Sequence, residues 1–274
     1  MSQVFSNEAL KGKTAFIAGG TSGINLGIAE AMAARGANLV VLSRRQEKVD
    51  AAVKTLSDIG ARAMGFAADV RDYDAVEEAM RKSHEAFGEL HCVVSGAAGN
   101  FLAPAVGLSA KGFKTVVDID LLGTYNVFRA SFDYLHKPGP AQIGASLIAI
   151  TAGQAVHPSP MQIHACAAKA GVNMVVKCLA LEWGPAGVRV NGISPGPIAD
   201  TEGMERLAPN AGMEEAIKRR IALRSYGQKS EVADVATFLA SDASRYVTGS
   251  IYTIDGGSEL GDASRDCLSV PDRA

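Results

Sequence analysis

Short runs of consecutive apolar residues alternate along this chain with longer stretches whose apolar positions recur at helical spacing. The short runs, at 14–19, 37–43, 61–68, 90–96, 146–151, 188–194 and 250–255, predict seven strands. Between them, segments 30–36, 46–60, 73–88, 112–135 and 167–184 carry the helical pattern, and about six helices are expected in all. Such alternation predicts an α/β fold: a doubly wound, seven-stranded parallel sheet with helices on both faces. There is no internal repeat and no low-complexity linker. Residues 199–226 form the longest segment without a sheet role, and a segment of that kind often covers a site.

Composition narrows the function. The length of 274 residues favours one large domain, expected over 1–262, with 263–274 as a C-terminal tail. Lys and Arg number 27 against 29 Asp and Glu, a formal charge of −2, which removes the electrostatic case for nucleic acid or an anionic membrane as partner. Hydrophobic residues make up 47% and charged residues 20%, so the chain can bury a core. Cys92, Cys166, Cys178 and Cys267 are scattered without a Cys-x-x-Cys pair, so neither a metal site nor a disulfide framework is expected, and a reducing compartment fits. Residues 138–168 carry no charge, but Pro, Gly, Ser, Gln and His interrupt them too often for a membrane-spanning helix. The N-terminal residues lack a signal-peptide apolar core and the last four match no address signal, so a cytoplasmic location is expected.

Directly after the first strand comes Gly19-Gly20-Thr21-Ser22-Gly23-Ile24-Asn25, leading into a helix. In that setting glycines let the backbone approach a pyrophosphate, and the helix N-terminus offers N–H groups and a favourable dipole. This turn, with Asp69-Val70, Ala97-Ala98-Gly99, Lys169, Pro195-Gly196-Pro197-Ile198 and Asp255-Gly256-Gly257, resembles the short-chain dehydrogenase/reductase family over roughly residues 10–258. The resemblance implies a Rossmann-type fold and a nicotinamide cofactor. Asn25 stands where the family usually has its third glycine, so the turn is expected either to be widened or to be capped by Asn25. The second strand ends Ser43-Arg44-Arg45 with no acid, which favours a 2′-phosphate and hence NADP(H), with Arg44 and Ser43 as its ligands. By resemblance, Asp69 and Val70 contact the adenine and Ile198 the carboxamide. Lys169 holds the nicotinamide ribose on the same grounds.

Most members of that family protonate an alkoxide with a tyrosine four residues before the lysine. Here that position is Ala165, the usual serine is Ala152 beside Thr151, and the usual asparagine is Asp120. His164 is one residue early, a turn of roughly 100° about a helix. Two explanations stand: a silent NADP(H)-binding protein, or a reaction that needs no tyrosine. Hydride addition to a conjugated thioester is of the second kind, since its enolate needs only hydrogen-bond donors and its proton goes to carbon.

A narrower likeness supports that chemistry. Ala97-Ala98-Gly99-Asn100-Phe101-Leu102, Phe113-Lys114-Thr115-Val116 with Asp118-Ile119-Asp120, His164-Ala165, and Gly196-Pro197-Ile198 with Thr201-Glu202-Gly203 resemble the 2,4-dienoyl-CoA reductases, the peroxisomal type in particular. That resemblance implies NADPH-dependent reduction of a 2,4-dienoyl-CoA to a 3-enoyl-CoA in oxidation of unsaturated fatty acids, and a homotetramer. Asp120 would orient the water that protonates carbon, with Lys169 lending positive charge and His164 as a secondary candidate. Asn100 and Phe101 would line the acyl channel, and Arg71, Lys111 and Arg206 would meet coenzyme A phosphates. The Lys218, Arg219, Arg220 and Arg224 group reads better as a solvated face. A trans-2-enoyl-CoA or acyl-carrier-protein reductase of the same fold remains the enzymatic alternative.

Overall fold

The computed structural model describes residues 5–201, 204, 208, 210–265 and 268. Seven strands form the sheet: β1 (Thr14–Ala18), β2 (Asn38–Ser43), β3 (Ala63–Ala67), β4 (Cys92–Ser95), β5 (Ser146–Ile150), β6 (Arg189–Pro195) and β7 (Ile251–Ile254). Their order is β3-β2-β1-β4-β5-β6-β7 and every pair is parallel. Ala18 aligns with both Leu42 and Ser95, and Ser95 with Ala149, so the carboxyl ends of the central strands lie along one edge. The winding direction reverses between β1 and β4, and a crevice opens there at that edge, as it does in open parallel sheets generally.

The apolar runs are explained by burial on two sides. In β1, Ala15 and Ile17 face a core shared with Ile28 and Met32 of α1 (Gly23–Ala33), Leu56 of α2 (Gln46–Asp58) and Leu239 of α8 (Lys229–Ala240). Phe16 and Ala18 face the opposite core with Met80 of α3 (Tyr73–Phe87), Phe128 of α5 (Gly123–Ser131) and Val176 of α6 (Ile163–Trp183). Strands covered on both faces read as continuous apolar runs.

Helix boundaries depart from the sequence pattern in four places. α1 starts at Gly23 rather than near residue 30, because the glycine-rich turn itself supplies its first turn. The stretch expected as one helix over 112–135 is α4 (Ala110–Val117), a wide π-helical turn over Asp118–Leu122, α5, and a final 3-10 turn at Phe132–Tyr134. α6 begins at Ile163 and so includes His164 and Ala165. α8, where the pattern marked no helix, has a small-residue stripe (Ala233, Ala236, Ala240) behind a capping box in which the Gln228 N–H donates to Glu231 Oε2 at 2.6 Å.

α6 with its extension to Ala186 is long and apolar enough to cross a membrane by length and mean hydropathy alone. In this fold it is a core helix, with Ala168, Val172 and Val176 fully buried against the sheet. The excursion 199–226 carries α7 (Ala211–Arg220) and closes on itself: the Ala199 N–H donates to Gly227 O at 2.8 Å and the Gly227 N–H to Pro197 O at 3.0 Å. Its two ends are therefore fixed beside the carboxyl end of β6.

Candidate active site

The crevice is a cavity of about 730 Å³ running from the end of β2, past the β1–α1 turn, to the loop after β4. Gly19 has φ +80°, and a Cβ there would lie 2.8 Å from the Ala97 amide nitrogen, so the turn takes only glycine at that point. Ser22 precedes α1 in extended conformation and makes no side-chain cap, which leaves the first N–H groups of the helix for a ligand. Thr21, Ser22 and Asn25 line this part of the cavity, while Gly23 and Ile24 open α1 beside it. A pyrophosphate fits this cradle.

At the β2 end, Ser43, Arg44, Arg45 and Lys48 line the cavity. Arg45 pairs with exposed Glu47 at 3.5 Å, and Arg44 lies near the Asp69 carboxylate without an ion pair to it among the described residues. Lys48, in the first turn of α2, was not legible as a ligand from the sequence. Asp69 and Val70 form the neighbouring wall. Arg71 grips the Asp69 carboxylate with Nε at 3.0 Å and Nη2 at 2.6 Å, which holds that carboxyl below its usual range. The Arg71 guanidinium is thus already engaged, half-exposed at the rim.

Of the two expectations for Asn25, the structure has the second: its side chain caps the turn. Its side-chain Nδ2 donates to Gly96 O at 2.8 Å and to Gly19 O at 3.4 Å, joining the loops after β1 and β4. Ala97 and Ala98 continue that second loop along the cavity wall. Pro195 and Gly196 leave β6 with the Gly196 N–H donating to Ile254 O at 2.9 Å, and Ile198 is buried beneath the excursion, its carbonyl accepting from Thr201 Oγ1 at 2.8 Å.

The loop after β4 leads to the charged centre. The Gly99 N–H donates to Asp120 Oδ1 at 2.7 Å, and Asp120 Oδ2 lies 3.2 Å from Lys169 Nζ. Lys169 Nζ also donates to Ile150 O at 3.0 Å. Asp120 is 1% and Lys169 8% exposed, so each charge is compensated by the other away from bulk water. The π-helical turn is what presents Asp120: its partner in sequence, Asp118, points outward to Lys114 at 2.5 Å. No tyrosine joins the pair among the described residues, and Ala165 is buried on the same helix as Lys169.

His164 is fully buried, has no hydrogen-bond partner for either ring nitrogen among the described residues, and stacks on Phe101 with ring centroids 4.5 Å apart. Asn100 Nδ2 donates to Gln162 Oε1 at 2.6 Å, which ties the β4 loop to the start of α6. Phe101, Leu102, Val156 and Met161 form an exposed apolar rim. The buried hydroxyl of Thr151, beside Ala152, is also without a partner among the described residues. Glu259, from the turn after β7, was not singled out by the sequence reading; it covers Gly153, where a Cβ would meet its Cδ at 2.8 Å, and burial pushes its carboxyl up.

Lys111 is exposed on α4, and Arg206 lies outside the described residues. In the cationic group of the excursion, Lys218 pairs with Glu214 at 2.5 Å, Arg220 with Asp262 at 3.6 Å, and Arg224 donates to the Arg219 and Ala263 carbonyls.

A parallel sheet of this order, a glycine-rich turn at its reversal and a lysine one strand away define a class. The chain belongs to the short-chain dehydrogenase/reductase family, and the family described as enoyl-(acyl carrier protein) reductase is matched over residues 18–259. It is 40% identical over 262 residues to a peroxisomal 2,4-dienoyl-CoA reductase [(3E)-enoyl-CoA-producing] of Danio rerio, covering 95% of this chain and 86% of that one. Among solved structures it is similar to a short chain dehydrogenase from Bacillus anthracis (34% identity, TM-score 0.83, 92% of this chain and 98% of that one). A gluconate 5-dehydrogenase from Burkholderia cenocepacia in complex with NADP and tartrate aligns with TM-score 0.85 at 27% identity, over 93% of this chain and 98% of that one. The chain is an oxidoreductase whose family uses NAD(P)(H).

Proposed function

We propose that the protein reduces 2,4-dienoyl-CoA to 3-enoyl-CoA with NADPH. The observation that carries this reading is the buried Asp120–Lys169 pair in a site where Ala152 and Ala165 replace the usual hydroxyl donors. Such a site lacks the tyrosine and serine that serve alkoxide protonation in most of the family, yet it keeps a fixed carboxylate and a fixed ammonium. The 40%-identical relative from Danio rerio, named for the same reaction, supports it.

The β1–α1 turn would hold the cofactor by its pyrophosphate and Lys169 its nicotinamide ribose, and the reduced cofactor would supply a hydride to the far end of the conjugated diene. The electron pair then moves through the chain to the thioester oxygen. The Lys169 ammonium stabilises the negative charge that develops there. Asp120, held by the Gly99 N–H and by Lys169, keeps its remaining lone pairs to orient a water, and that water delivers the proton to the carbon beside the thioester. One hydride and one proton add, and the remaining double bond ends at carbon 3. Arg44, Arg45 and Lys48, with no unpaired acid beside them, favour the 2′-phosphate of NADPH. Phe101 and its apolar neighbours offer the acyl chain a surface, and exposed Lys111 and half-exposed Arg71 are the candidates to meet the coenzyme A phosphates.

Purified protein assayed for NADPH oxidation with a 2,4-dienoyl-CoA, a 2-enoyl-CoA and a 3-oxoacyl-CoA tests this directly. Turnover of the dienoyl thioester, with the other two slow, is expected. Preference for the 2-enoyl thioester would move the reading to an enoyl reductase. Silence on all three with intact NADPH binding would overturn it.

A further inference from the structure

Asn25 and Gly96 fit each other as a reciprocal pair. Asn25 occupies the place of the glycine that usually lets helix and strand approach closely. The room for its side chain comes from position 96, where a Cβ would lie 2.5 Å from Asn25 Cγ. The backbone of Gly96 is not in the left-handed region, so glycine there is required by this contact and not by the turn. Nδ2 faces the Gly96 and Gly19 carbonyls and donates to both, while Oδ1 is buried with no partner among the described residues.

This contact sits between the two halves of the site. Gly19 belongs to the cofactor turn, while Gly96 begins the loop whose third following residue, Gly99, donates its N–H to Asp120. A continuous set of bonds thus runs from the turn through Asn25, Gly96, Gly99 and Asp120 to Lys169 and on to Ile150 O.

We propose that Asn25 is a positioning residue: by cross-linking the β1 and β4 loops it fixes the cofactor turn relative to the Asp120 carboxylate, taking over with an amide what close glycine packing does elsewhere. The proposal deepens the reductase reading, but it rests on the pair itself and can be tested without turnover. A dinucleotide held at this turn would rest on the backbone that Asn25 bonds, so the cross-link would carry its position to the loop behind Asp120. A shift of about 1 Å there is enough to cost roughly 100-fold in rate.

The test is a cycle of Asn25→Gly, Gly96→Ala and the double variant, with Asn25→Asp as an isosteric control. NADPH binding, thermal melting and amide exchange of segment 96–99 are measured on the full chain. Gly96→Ala alone is expected to weaken NADPH binding about tenfold, because backbone or Asn25 must give way. Asn25→Gly is expected to remove that penalty in the double variant while raising amide exchange at 96–99 about tenfold. Asn25→Asp keeps the shape but sets an acceptor against two carbonyls, and should match Asn25→Gly in exchange. Equal damage from Gly96→Ala in both backgrounds, or unchanged exchange in Asn25→Gly and Asn25→Asp, would overturn the proposal. If the wild-type chain turns over no thioester, the substrate reading fails while these binding and exchange results still decide the role of Asn25. If it does turn one over, Asn25→Gly should lower kcat by a larger factor than it raises the NADPH Kd.

Discussion

At the residue scale, Asp120 has one carboxylate oxygen on a peptide N–H and the other beside an ammonium, so removing it strands a buried charge as well as the proposed water site. Asp120→Ala should lower kcat about 100-fold or more with NADPH binding retained, measured by steady-state kinetics alongside cofactor titration. Arg44→Ala should reduce the preference for NADPH over NADH about tenfold, read from the ratio of kcat/KM values, since Arg45 and Lys48 remain to meet the 2′-phosphate. A pH effect belongs to His91, far from the site. Its Nδ1 accepts from the Thr14 N–H at 3.2 Å, and burial, with His136 stacked 5.2 Å away, holds its pKa below the ordinary 6.5. The unfolded chain therefore takes up that proton first. The associated stability is present above pH 6.5 and lost as pH falls below it. Melting temperature should decline on that side, and His91→Phe should flatten the decline in a scan of melting against pH. The sequence made Asp120 visible through its place where the family usually has asparagine, and Lys169 through its spacing from Ala165, but it could not show their 3.2 Å pairing, which depends on how two helices pack.

Elements explain why the site holds that geometry. The π-helical turn over Asp118–Leu122 adds one residue to a helical circuit and directs Asp120 inward while Asp118 pairs outward. α6 approaches this turn closely at Gly171, where a Cβ would meet Leu121 Cδ2 at 2.8 Å. Gly171→Val should push the helix from the turn, cost about 1–3 kcal/mol in denaturant unfolding, and lower turnover more than cofactor affinity. Apolar periodicity located both helices and all seven strands, because burial on two sides writes itself into composition. It gave no sign of the π turn, within and after which the buried positions include Asp120, Thr124 and Asn126. It also missed α8, whose inward face is built largely of alanine and carries little hydrophobic contrast. Asn25 shows the limit most plainly: the departure from the glycine pattern was legible, but its compensation at Gly96, 71 residues away, was not.

Across the whole molecule, two outward stripes stay apolar: Leu122 and Tyr125 at and after the π turn, and Met174 and Leu181 on α6 with Cys178 between them. Faces of this kind fit burial against further copies of the chain. The expected assembly is a homotetramer, so light scattering should give about four times 28.5 kDa, and Met174→Lys with Leu181→Glu should reduce it to a smaller species. The sheet itself is two-faced in another sense. All groups with chemistry to perform gather where strands end, whereas the connections feeding strand starts pass through Gly60 and Gly88, turns at φ +104° and +76° with open space around them. Those turns lie a full strand length from Asp120 and Lys169. A tether, tag or surface linker inserted there would anchor the enzyme by its inert side, leaving the reacting side free and facing outward, as an immobilised biocatalyst requires.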